Sequence, residues 1–162
     1  MIPFQVPAQD FPPDPLACPQ AYWGITLRRM FAYLIDAVAI GLIVLCLHFL
    51  LGMAAFVTFG LLGFLYALAV PVLAGVVALI YHVSCLSGPW CSTIGMRLLG
   101  LRAHHIDGGR PQLVQAFVHT ICFYGTLGFG GGILLLVALF NVRRRTLHDI
   151  LAGIVILRRY DI

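Results

Sequence analysis

Between Arg29 and Arg97 the chain carries one formal charge, Asp36. Few folds accept such a stretch. A membrane-spanning helix needs about 20 consecutive apolar residues. The run from residue 31 to 87 therefore predicts two spans, 31–51 and 61–83, joined by a short turn between residues 52 and 60. Pro71 in the second span removes a helix hydrogen bond and predicts a kink. An aspartate at the centre of a bilayer costs at least about 2.5–3.5 kcal/mol, so Asp36 is expected to face the bundle interior and to have a task there.

Composition agrees. Of 162 residues, 61% are hydrophobic and 10% charged, against about 25% charged in soluble domains. With a mean hydropathy of +0.99, the chain reads as an integral membrane protein: an all-α, small polytopic helical bundle. All ten basic residues are arginines, and they cluster at Arg28–Arg29, at Arg97, Arg102 and Arg110, at 143–145 and at 158–159. In so apolar a chain such clusters fit topology and anionic lipid headgroups rather than nucleic acid. The five cysteines are scattered without a C-x-x-C, and the six histidines lack H-E-x-x-H. No metal, cofactor or enzymatic activity is expected from these patterns.

Residues 1–21 are Pro-rich and lack the basic start and apolar core of a signal peptide, so they read as an irregular tail. Residues 22–162 form the transmembrane domain. Tyr22 and Trp23 suit an interfacial anchor, and Arg28 and Arg29 place the N-terminus in the cytoplasm of a bacterial inner membrane. Residues 86–112 form a polar connection in which 98–106 could be a strand, followed by the tight-turn pair Asp107-Gly108. Residues 113–140 are apolar but broken by glycines. Read by length they are one tilted span. Read by the positive-inside rule they are a hairpin, tipped by the glycine run, that returns the later arginines to the cytoplasm. Asn141 is a helix stop. Residues 146–159 then give a capped short helix ending at Gly153 and a strand at 154–157, whose natural partner is 98–106. That pairing requires both on one side.

Four motifs stand in order: Arg29-Met-Phe-Ala32-Tyr-Leu-Ile-Asp36; Ser92-Thr-Ile-Gly95-Met-Arg97-Leu-Leu-Gly100-Leu-Arg102; Asp107-Gly108-Gly109; and Arg143-Arg-Arg-Thr-Leu-His-Asp149-Ile-Leu-Ala-Gly153. Together they resemble the RDD family of small bacterial membrane proteins, over most of the chain outside the tail. The family is named for one arginine and two aspartates, which map onto Arg29, Asp36 and Asp149. The resemblance implies an integral membrane protein with a suggested transport role; some members are linked to monovalent cation/proton exchange. Many relatives carry a lysine where Met96 or Arg97 stands, and this chain has none.

Spacing supplies candidate roles. Arg29 and Asp36 lie two turns apart on one helical face, on a stripe with Ala32, Ala39, Ile43 and Cys46. Burial raises a carboxyl pKa and a nearby guanidinium lowers it, so Asp36 tuned by Arg29 could bind a cation or a proton. Asp149 is either a helix-capping or ion-pairing residue or a transport residue. His148, Arg28, Tyr66, His82 and His119 are secondary candidates. With no second acid within the apolar runs, a homo-oligomer would complete a path. Two further readings stay open: a scaffold or accessory subunit binding another membrane protein, and haem held by two of His48, His82 and His119.

Overall fold

The computed structural model describes residues 12–16, 18–60, 62–130 and 143–159. Three long helices carry the apolar runs. α1 spans Ile25–Val57, α2 Gly63–Ser87 and α4 Leu113–Gly130. Between α2 and α4 lie a short helix, α3 (Ile94–Leu98), and a strand, β1 (Leu101–His105). After α4 come α5 (Leu147–Leu151) and β2 (Ile154–Arg158).

α1 is longer than the expected 31–51. Its start is set by Gly24 at φ +69, a left-handed conformation that suits glycine. With no breaker after it, Arg28 and Arg29 fall inside the helix. At the other end Gly52 is carried within the helix, so the turn begins at Thr58. Phe59 and Gly60 take positive φ there, and Thr58 Oγ1 donates to the Ala54 and Ala55 carbonyls. At 1.5 Å per residue α1 is about 50 Å long, more than the roughly 30 Å of hydrocarbon it would have to cross. α2 likewise runs past the expected 83. It bends by 55° between Gly63–Val70 and Val72–Ser87, at the expected proline.

α2 packs between α1 and α4. The outward faces of these helices expose Leu34, Leu42, Leu45, Phe49, Leu65 and Leu68. Lipid tails solvate such side chains as well as a protein interior would, so packing among spans needs no large apolar core. The compact core sits instead at the end of the bundle holding the N-terminus of α1. There Ile25, Ala32, Leu86, Met96, Leu101, Ala103, Ala116 and Ile154 are buried together. Part of the tail joins them. Cys18 and Ala21 are buried, and Tyr22 is buried with its hydroxyl donating to the Pro13 carbonyl at 2.8 Å. Pro19–Ala21 form a short 3-10 helix rather than an irregular stretch, and of the two proposed anchors Trp23 alone is exposed.

β1 and β2 pair antiparallel, from Leu101 opposite Arg158 to His105 opposite Ile154. This is the expected pairing, shortened at its start. Thr93 caps the Met96 N–H, so residues through Leu98 turn into helix, and Gly100 at φ +66 ends it. Because β2 lies beside β1, the chain is back at the end of the bundle from which α4 departs. The tip of the expected hairpin and Asn141 lie outside the described residues.

Candidate functional site

Two buried carboxylates organise this end. Asp36 accepts three hydrogen bonds. Gly95 N donates to Oδ1 at 2.8 Å, the Tyr81 hydroxyl to Oδ1 at 2.6 Å and the Thr93 hydroxyl to Oδ2 at 2.6 Å. Tyr81 in turn accepts from Ile94 N at 3.1 Å. The site thus fastens the first turn of α3 to α1. Gly95 makes the approach feasible, since a Cβ there would sit 2.1 Å from the Ala32 carbonyl oxygen. Arg28 secures the other end of α3, donating to the Leu99 carbonyl at 2.8 Å.

Arg29 makes its hydrogen bonds away from Asp36. It turns to Asp149: Nη1 meets Oδ2 at 2.5 Å and Nη2 meets Oδ1 at 3.0 Å, a two-pronged contact with both side chains buried. The spacing along α1 is as expected, but the second acid is supplied by another element. Asp149 is held from two more sides. His119 Nε2 on α4 lies 2.9 Å from Oδ1, and Thr146 N donates to Oδ2 at 2.8 Å within the expected capping box of α5. Arg145 ties its backbone, donating to the Asp149 and Ile154 carbonyls. Burial alone would raise the Asp149 carboxyl. Arg29 and the hydrogen bond from His119 outweigh it and hold the group well below the usual carboxylate range.

Arg29 Nη2 also lies 3.1 Å from the Tyr33 hydroxyl and 3.3 Å from both Thr146 Oγ1 and His148 Nε2. The guanidinium is the cation in a cage of four side chains. His148 must therefore offer Nε2 as an acceptor and keep its proton on Nδ1. Burial is the main reason its pKa falls to about 3; His119 and Arg29 add to that.

Ligand-type atoms of His119, His148 and Asp149 lie within 4.8 Å of one another, a grouping that the distance of His119 along the chain hides. Asp149 already uses both oxygens, and Arg29 supplies the positive charge. The buried Nδ1 atoms of His119 and His148 have no hydrogen-bond partner.

An aromatic wall adjoins the cage. Tyr33 stacks on Phe123 at 4.7 Å, and Phe123 meets the rings of His148 and His82 at 5.2 and 6.2 Å. His82 Nδ1 bonds its own helix at the Ala78 carbonyl. His82 and His119 are thus packed with protein side chains, which gives the haem reading no support. Tyr66 joins neither cluster; its ring meets His48. On the predicted stripe, Arg29, Ala32 and Asp36 are buried, whereas Ile43 and Cys46 are exposed. The sequence reading offered Tyr81 as a possible intramembrane ligand but missed Tyr33, Thr93 and Gly95 as site residues. Tyr33, one turn from Arg29, and Thr93, before a short helical run, were the available signals.

No curated protein and no solved structure matches the chain. The model of the RDD family matches residues 24–153, which hold both clusters and every element that builds them. A membrane protein whose arginine and two aspartates lie in those matched motifs, the chain belongs to the RDD family.

Proposed function

We propose that the chain is a small transporter exchanging a monovalent cation for a proton, with Asp149 rather than Asp36 as the site of exchange. One observation supports this reading: Arg29 Nη2 sits among Asp149, Tyr33, Thr146 and His148 as a bound cation would. In the proposed cycle the tethered guanidinium holds the site when it is empty. A sodium, lithium or potassium ion enters beside the guanidinium on Asp149, and a second proton carried by His119 on Nδ1 leaves as the local charge rises; Nε2 keeps its proton and its bond to Asp149. Asp36 keeps α3 in place. The reading is of a transporter, not an enzyme.

In this proposal residues 22–162 act as one transmembrane unit in a bacterial inner membrane, with the N-terminus and both strands in the cytoplasm. The return of β2 to β1 favours an even number of crossings. A homo-oligomer would supply the outer half of the path.

The second reading is a non-transporting scaffold or accessory subunit. It is favoured by the full set of hydrogen bonds at Asp36, which leaves that carboxylate little capacity to bind an ion.

Proton flux in proteoliposomes, on adding Na⁺, Li⁺ or K⁺ to a preset pH gradient, separates the two. His119→Gln is the informative variant, because its amide can still donate to Asp149 but cannot titrate. Cation-dependent flux that is lost in His119→Gln at unchanged thermal stability supports exchange at Asp149. Flux that survives the substitution removes His119 from the cycle. Absence of flux in the unmodified protein favours the scaffold.

A further inference from the structure

α3 is held to α1 in one rotational setting. Gly95 and Met96 face inward, with Gly95 against Ala32 and its N–H on Asp36. Thr93 and Ile94 are fastened on the same side through Asp36 and Tyr81. The opposite face follows from helical spacing: Ile94, Arg97 and Leu98 stand at i, i+3 and i+4. Ile94 is 49% and Leu98 69% exposed, and Trp90, just before the helix, is 61% exposed. The Arg97 guanidinium lies over the Trp90 ring at 4.2 Å. A short helix thus points two aliphatic chains, a tryptophan and an arginine away from the protein.

The height of this face is set by Ala32. The α1 turns that receive α3 expose Leu27, Phe31 and Leu34. In a membrane protein, such apolar turns lie at or below the headgroup boundary. Tryptophan favours that boundary, and an arginine there reaches for the headgroups. One positive charge near the surface favours an anionic lipid by about five-fold.

We infer that α3 is an interfacial wedge that seats an anionic phospholipid, with Ile94, Leu98 and Trp90 against the upper acyl chain and Arg97 on the phosphate. Asp36, acting through α3, is a positioning residue for this surface. The inference rests on membrane residence and the pinning of α3, and it is independent of the transport reading.

The test uses the full chain in nanodiscs. Trp23→Phe leaves Trp90 as the sole tryptophan. Brominated phosphatidylglycerol or brominated phosphatidylcholine is included as a minor fraction of phosphatidylcholine. Trp90 fluorescence should be quenched by both, with an apparent affinity about five-fold higher for the phosphatidylglycerol. Arg97→Gln, at an exposed position, should abolish the preference and leave the quenching. Equal quenching by the two lipids in the unmodified background overturns the anionic site. Water-exposed emission without quenching overturns the wedge, as does burial of Trp90 under a second copy or another protein.

Discussion

Arg29 and Asp149 lie 120 residues apart in sequence and meet through two hydrogen bonds with both side chains buried. The contact joins α1 to α5, and His119 adds α4 to the same carboxylate. Three elements therefore depend on one buried ion pair.

Removing one partner leaves a buried charge without its counter-ion, at a cost of about 3–5 kcal/mol. Asp149→Asn should lower stability in detergent by that order, measured by thermal or denaturant unfolding. Arg29→Lys should also destabilise, because an ammonium cannot bridge both oxygens. The double variant Arg29→Met/Asp149→Leu should recover most of the loss. A double variant no more stable than Asp149→Asn would show that the cost arises elsewhere.

Gly95 should tolerate no side chain. A methyl 2.1 Å from the Ala32 oxygen must push α3 off α1, and overpacking of this kind costs about 1–3 kcal/mol. Gly52→Ala is the contrast. It sits within α1 with nothing within 4 Å of the added carbon, so helix propensity should make it neutral or stabilising by up to about 1 kcal/mol. Hydrogen exchange should quicken over residues 93–98 in Gly95→Ala and remain unchanged over 154–158. Uniform quickening in both regions would mean that α3 is not a separately anchored element.

Acid should loosen this end of the molecule. His148 is buried neutral, with a folded pKa of about 3 against about 6.5 when unfolded. The unfolded chain then binds more protons between those values, so this contribution to stability is complete above about pH 6.5. It is lost as pH falls toward 3, at up to about 1.4 kcal/mol per pH unit. Asp149, held below its usual value, gives the same sign at lower pH; its contribution is present above about pH 4 and lost below. Burial, helped by His119 and Arg29, lowers His148, while Arg29 and His119 outweigh burial at Asp149; Thr146 and Tyr33 also face the pair. Unfolding midpoints between pH 8 and 4.5 should fall in the unmodified protein and fall less in His148→Asn. Equal slopes would remove His148 as the source.

The apolar run, the kink at Pro71, the capping box at Thr146 and the strand pair were legible in the sequence. Each follows from local chemistry: hydropathy over one span length, a missing N–H, a side chain within reach of the next turn, or a short β-branched apolar run beside turn residues. The three residues that define the family were legible too, Asp36 as a charge where charges are costly, and Arg29 and Asp149 through their motifs. Their partnership was not. Spacing on α1 placed Arg29 and Asp36 on one face, and two turns of helix suggested that they interact.

Tertiary structure decided otherwise, because a side chain bonds whatever the fold brings within about 3 Å. The return of the chain after α4 puts Asp149 against Arg29. The close approach at Gly95 gives Asp36 two hydroxyls and a backbone N–H. Sequence by itself determined a membrane protein with one arginine and two acids in its family motifs. Only the packing of α3 and α5 onto α1 divided them into an ion-paired cage and a hydrogen-bonded anchor. That division depends on distances between elements, which the order of residues along the chain does not encode locally.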